Sequence, residues 1–220
     1  MTLASFLAIL FGTLLLIVLA LIVLFYLFRK LWFSRDPVRH GPKDPALILS
    51  PANGTVVVVE RFDTTKAASV TARKWNKGRA GILCKDVDKK GWFVLIVMTP
   101  LNVHYQRAPV EGTVVSSIRT PGKFLNAVKE PEKLLALENE KNEILLTTAH
   151  GKVKVVQIAG YLARRIHSYV APGKRVKRGA TIGFIDLGSQ VALVLPERAR
   201  VRAKPGDTVI DGETVIGVFS

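Results

Sequence analysis

Few side chains in this sequence are equipped for chemistry. There is one cysteine, Cys84, and there are four histidines, His40, His104, His150 and His167. Histidine changes charge nearest neutral pH, so these four are the natural candidates for a general base. A lone cysteine makes neither an internal disulfide nor a thiolate metal cluster; this fits a reducing compartment, and no metal site is expected. In AGILCKDV, Cys84 reads as a small apolar packing group rather than a nucleophile. The most informative stretch is IGFIDLGSQVALVLPE (182–197), where Gly188-Ser189 interrupts a strand pattern that then resumes. Glycine inside a strand marks a bend or a close backbone approach. Most Gly-Ser pairs are plain β-bulges, so the pair by itself leaves both readings open.

The elements that must position these residues are mainly strands. GTVVVVERF (54–62), GWFVLIVM (91–98), GTVVSSI (112–118), EILLTTA (143–149) and KVKVVQIAG (152–160) are short, β-branched and bounded by glycine, proline or charge. One helix is expected over PEKLLALENEK (131–141), with Pro131 near its start and apolar residues at 134, 135 and 137. A degenerate repeat follows: PGKRVKRGATIGF from Pro172 and PGDTVIDGETVIGV from Pro205, with glycines and the middle valine in register. Two copies are too few for a solenoid. The pattern resembles the hairpins of lipoyl-like barrel-sandwich folds, and Lys174, Arg175, Lys177 and Arg178 cluster on one such turn. The expected fold is mainly β (α+β) with barrel-sandwich hairpins, preceded by one transmembrane helix.

That helix is read from Leu3 to Phe28, 26 residues without a charge and longer than a hydrocarbon core of roughly 30 Å requires. It has no basic start and no small-residue cut site, so it reads as a permanent anchor rather than a signal peptide. The expected organisation is an anchor (1–28), a basic, proline-rich stem (29–48) and a β domain (49–220). Arg29, Lys30, Arg35 and Arg39 follow the helix, while Met1 and Thr2 precede it. The positive-inside rule then predicts a cell-membrane protein whose domain faces the cytoplasm. All 32 Lys and Arg and all 17 Asp and Glu lie beyond the anchor, so the net +15 belongs to the stem and domain. Such a charge favours polyanions, and the anchor selects an anionic membrane surface over nucleic acid.

Six ordered segments carry a family resemblance. They are RDP (35–37), SPANGTV (50–56), MTPLNVHYQRAPVEGTV (98–114), ENEKNE (138–143), VQIAGYLARRI (156–166) and LGSQVALVLP (187–196). In this order they resemble the phosphatidylserine decarboxylases, in their short archaeal and bacterial form, which includes the archaetidylserine decarboxylases; the likeness runs from about Arg35 to the C-terminus. The resemblance implies a proenzyme that cuts itself between Gly188 and Ser189. Ser189 attacks the Gly188 carbonyl, and residue 189 becomes a pyruvoyl cofactor at the head of a piece spanning 189–220. It further implies a serine-headgroup membrane lipid as substrate, with the cofactor as electron sink for decarboxylation.

The same resemblance makes His104 the active-site histidine; His40, His150 and His167 read as stem and strand-end residues. Arg107 stands where longer members carry a second histidine, and Arg107, Arg164 and Arg165 are expected to bind substrate. Arginine suits bidentate contact with phosphate, but neighbours on a strand face opposite sides, so at most one of Arg164 and Arg165 enters a site. The family motif SPADG has here become SPANG, placing Asn53 where an aspartate belongs to a serine-protease-like triad. A neutral amide orients a histidine without stabilising its protonated form, an exchange that costs roughly 10⁴ in rate in serine proteases. A catalytically silent, membrane-anchored lipid-binding or adapter module is therefore the other reading.

Other classes fit less well. Membrane fusion proteins have long helical hairpins, and a swinging-arm carrier needs a lysine flanked by methionines, whereas the methionines here are Met1 and Met98. Nucleic-acid binding finds no zinc motif and no aromatic stacking motif. A homo-oligomer is compatible with the sequence but not specified by it.

Overall fold

The computed structural model describes residues 2–65, 83–123, 125, 128, 135–160, 165–186 and 188–220. The chain forms two compact units, Met1–Asp36 and Pro37–Ser220. In the first, α1 (Leu3–Leu27) continues as a wider π-helical segment, Phe28–Phe33. Thr2 caps it, its hydroxyl accepting from the Ser5 N–H at 3.2 Å. Helix thus outruns the expected anchor by five residues and takes in Arg29 and Lys30 of the expected stem. Both are good helix formers, and nothing stops the backbone until the approach to Pro37. The segment Leu3–Phe33 is long and apolar enough to cross a membrane.

The second unit is built from strands, all paired antiparallel. Eight form one sheet: β2 (Gly54–Asp63), β3 (Lys90–Met98), β5 (Gly112–Thr120), β6 (Lys141–Thr148), β7 (Gly151–Ile158), β9 (Arg175–Val176), β11 (Ser189–Pro196) and β13 (Thr208–Val209). Their spatial order is β13-β2-β3-β11-β7-β6-β5-β9. Two three-stranded sheets complete the unit: β1 (Leu47–Leu49), β14 (Val215–Phe219) and β12 (Ala199–Val201), and β4 (Tyr105–Arg107), β10 (Thr181–Ile185) and β8 (Ile166–Ser168). The five strands expected from β-branched runs are β2, β3, β5, β6 and β7, within two residues at each end. The helix expected over 131–141 is not found as such: 131–134 lie outside the described residues, Leu135–Glu138 make one 3₁₀ turn, and Lys141 opens β6. At Lys141 pairing with Ile158 of β7 overrides the local helix signal.

The repeat extends much further than its two glycine turns. The unit β1-β2-β3-β11-β12-β13-β14 has the same pairings as β4-β5-β6-β7-β8-β9-β10, so the second copy is inserted into the first between β3 and β11. Sequence agrees locally, PANGTV (51–56) with PVEGTV (109–114). The Leu49 N–H donates to the Pro109 carbonyl and the Arg107 N–H to the Pro51 carbonyl, each at 2.9 Å. Register shifts recur at Val56/Val58 and Val114/Ser116. The paired turn glycines, Gly173 with Gly206 and Gly179 with Gly212, all have positive φ. The repeat copies are not self-paired hairpins, however. β9 and β13 close opposite edges of the long sheet, while β10 and β14 lie at the centres of the two small sheets.

Both faces of the central strands are covered, which is why their apolar runs are nearly continuous. One face packs Val94, Ile96, Met98, Val153, Val155, Val191 and Leu193 into the larger core. The other packs Phe93, Leu95, Val156, Ala192 and Val194 beneath Leu83, Cys84, Ala136 and Leu137 from the connections that cross the β2–β3 and β5–β6 hairpins.

Candidate active site

Ser189 opens β11 and lies directly across from Met98, the last residue of β3. It is fully buried, and its hydroxyl donates to the Met98 sulfur at 3.5 Å. A thioether is a weak acceptor, so the hydroxyl sits dry beside a soft partner. Gly188, just before it, has φ +66°, the left-handed region that an L side chain adopts with strain. A sharp backbone reversal therefore precedes the buried serine, and glycine is what makes it cheap.

His104 is also fully buried. Its main-chain carbonyl accepts from the Ile185 N–H at 3.1 Å and from Gln106 Nε2 at 2.7 Å. The same Gln106 nitrogen lies 3.9 Å from the Met98 sulfur, so one methionine contacts both the Ser189 hydroxyl and the amide that holds His104. His104 Nδ1 is 2.9 Å from the Asn102 carbonyl oxygen. A carbonyl only accepts, so Nδ1 carries the hydrogen in this contact and Nε2 is the basic nitrogen of the neutral ring.

Asn102 organises this corner. Its Oδ1 accepts from the Thr99 N–H (2.7 Å) and Thr99 hydroxyl (2.9 Å), while its Nδ2 donates to Asn53 Oδ1 at 2.8 Å. Asn53 thus reaches the histidine segment through a second amide, and the hydrogen bond that its oxygen accepts comes from Asn102. Asn102 was absent from the sequence-derived site, although it stands in MTPLNVH, two residues before the histidine. A buried amide relay was missed as well. Gln157 Nε2 donates to Gln106 Oε1 at 2.7 Å, and Asn142 Nδ2 donates to Gln157 Oε1 at 2.8 Å. Its only signal in the sequence is the presence of amides inside apolar strands, at positions 106, 142 and 157.

Arg107 goes elsewhere. Arg107 is buried against fully buried Asp211, Nε to Oδ2 at 2.8 Å, with Arg39 on the same carboxylate at 2.5 Å. Its remaining nitrogens donate to the Pro37 and Gly179 carbonyls and the Thr181 hydroxyl. Arg107 therefore ties the stem to the domain. Arg165 is exposed, and Arg164 lies outside the described residues. His40 and His167 are exposed, and half-buried His150 stacks on Phe219 at 4.5 Å. Cys84 is buried, and its thiol is pushed up to about 12 by desolvation, partly opposed by the Lys154 ammonium, in keeping with a packing role. Among the described residues no cluster of His, Cys, Asp and Glu could hold a metal.

Residues 28–217 match the family model described as phosphatidylserine decarboxylase. A Methanothermobacter thermautotrophicus protein provisionally named archaetidylserine decarboxylase proenzyme is 39% identical over 191 residues, 86% of this chain and 79% of its own. Phosphatidylserine decarboxylase proenzymes of Chlorobaculum parvum and Desulfotalea psychrophila are 34% and 37% identical, over 90% and 85% of this chain and 82% and 78% of theirs.

Proposed function

The chain belongs to the phosphatidylserine decarboxylase family, and from that premise we propose that it cleaves itself between Gly188 and Ser189 and then decarboxylates a serine-headgroup phospholipid at a membrane. The observation that carries this reading is the buried Ser189 hydroxyl behind a left-handed Gly188, on a methionine that also contacts the Gln106 amide holding the His104 carbonyl. Attack of Ser189 Oγ on the Gly188 carbonyl moves the acyl group from nitrogen to oxygen. Loss of the residue-189 α-proton then expels the Gly188 carboxylate, and hydrolysis of the resulting dehydroalanine releases ammonia and leaves a ketone. His104, with Nε2 free of the ring proton, is the base for the hydroxyl.

The residues around position 189 fit a pyruvoyl group made in place. The site is dry, a glycine gives the backbone its reversal, and Met98 presents no competing charge. Such a group supplies an electron sink when carboxylate leaves. The chain's own contribution is to bury that position, orient His104 through Asn102, and exclude water. Arg29 and Lys30 in the last turns of the helix and Arg35 and Arg39 beyond it support a domain on the cytoplasmic side, where it meets its lipid at the surface.

Intact mass of the purified full chain is the direct test. A piece of residues 189–220 blocked by a ketone supports the reading. A persistent 24.2 kDa chain, even after long incubation, overturns it in favour of an uncut lipid-binding module. Asn53→Asp should speed appearance of that piece, because a carboxylate beside Asn102 stabilises a protonated His104. Equal rates in both versions would remove Asn53 from the mechanism.

A further inference from the structure

A cavity of ≈ 460 Å³ lies on the other side of β4 from the reactive corner. Side chains alternate along a strand; Gln106 faces Met98 and the His104 carbonyl, so Arg107 faces away, into this cavity's wall. Five cations line it, Arg39, Lys43, Arg107, Lys177 and Arg178, against one acid, Glu111.

The nearby acids are already engaged. Glu111 pairs with Arg175 at 2.7 Å, and Asp211 is shared by Arg39 and Arg107. Glu213 accepts the His40 N–H, and Asp44 Oδ1 accepts the Ala46 N–H. Arg178 is different. Its guanidinium is held by the main-chain carbonyls of Pro42 (2.6 Å), Leu47 (3.1 Å) and Asp44, which fix its position without neutralising it. Lys43 and Lys177 add two exposed ammonium groups. A preorganised, half-buried guanidinium flanked by lysines is suited to phosphate. The volume falls within the usual range for small-molecule sites.

We propose that this cavity binds the phosphate of an anionic phospholipid headgroup as a site distinct from the one at Ser189. Arg39 lies six positions beyond Phe33, the end of the apolar segment, and an extended chain of that length spans about 20 Å. The stem half of the cavity is thus tethered within reach of a bilayer surface, which favours lipid over free phosphate as the source.

The test uses the full chain in uncharged detergent micelles, titrated with dihexanoyl phosphatidylglycerol and, separately, with sodium phosphate, and read by calorimetry. Two lysines at about 1 kcal/mol each predict that Lys43→Gln/Lys177→Gln weakens binding of the phosphatidylglycerol about thirtyfold. Lys89→Gln/Lys152→Gln, an equal loss of charge at exposed positions away from the cavity, should leave the affinity unchanged. Binding of phosphate alone with the same sensitivity assigns the site to free phosphate; sensitivity confined to the lipid assigns it to a headgroup. Absence of binding, or equal weakening by both lysine pairs, overturns the proposal. Repeating the titration on uncut Ser189→Ala separates this result from any failure of self-cleavage.

Discussion

The two copies of the strand unit differ most at one corner. In the inserted copy, β6 runs straight into β7 through a tight turn, where the Thr148 hydroxyl donates to the Gly151 carbonyl at 2.7 Å and accepts the His150 N–H at 3.0 Å. In the outer copy the corresponding strands, β3 and β11, end at Met98 and Ser189, and residues 99–188 run between them. The closed corner satisfies its own backbone groups and faces solvent at Gly151. The open corner buries Ser189 and is furnished by side chains from the inserted copy, His104 and Gln106. The repeat supplies the scaffold, and the opened hairpin leaves a buried corner that its twin lacks.

A second contrast lies in the turns. Arg178 and Asp211 occupy equivalent places, each one residue before a glycine with positive φ. Both grip the stem, Asp211 through Arg39 and Arg178 through the Pro42, Asp44 and Leu47 carbonyls. One does so with a buried charge pair, the other with a charge left over.

The largest effect should come from the corners themselves. Ser189→Ala should abolish self-cleavage, and Gly151→Ser at the closed corner should create no second cut; mass spectrometry reads both, and a cut at position 151 would break the distinction. Next come the turns. Asp211→Asn leaves two arginines around a buried neutral group and should cost about 3–5 kcal/mol. Arg178→Gln, at the half-buried equivalent, should cost about 1 kcal/mol or less. Urea unfolding compares them, and equal losses would mean that the two turns carry the stem alike. The strand-opening glycines follow. A β-carbon at Gly54 would lie 2.1 Å from the Val97 carbonyl oxygen, and one at Gly112 2.6 Å from that of Thr147. Each change to alanine should cost about 1–3 kcal/mol, the Gly54 variant more, as melting temperatures would register.

The smallest effect concerns the connections over the outer face of the sheet, where Cys84 packs in the outer copy and Ala136 and Leu137 in the inserted one. Burial raises the Cys84 thiol from 9.0 to about 12. The folded protein therefore keeps a proton that the unfolded chain releases in that window, and stability falls as pH rises from 9 toward 12. Cys84→Ala should remove a slope on the order of 1–2 kcal/mol by pH 10.5, seen in urea midpoints. Identical slopes in both proteins would show that this thiol does not titrate there.

Much of this was legible before the fold. The five long strands, the apolar helix and the Gly188-Ser189 interruption declare themselves through β-branched runs, an uncharged stretch and a glycine out of pattern. Of the helix expected at 131–141, the described residues show one 3₁₀ turn, Leu135–Glu138, and Lys141 is drawn into β6, because helix preference is weak against a neighbouring strand that needs pairing. Arg107 illustrates a different limit. Its charge suggested a substrate contact, yet its partner Asp211 lies more than a hundred residues away, and nothing local announces that pairing. Asn102, Gln106 and Gln157 were passed over for the same reason, because amide relays are defined by distance in space.

The sequence by itself determined which segments become strands, where an apolar helix lies, and where a glycine interrupts a strand pattern, because periodicity, charge and glycine act over a few neighbouring residues. Tertiary structure alone decided that one copy is threaded into the other, that Ser189 is buried at the opened corner, and that Asp211 gathers two arginines. Those outcomes depend on which distant strands exclude water from one another, and burial is a property of the packed whole.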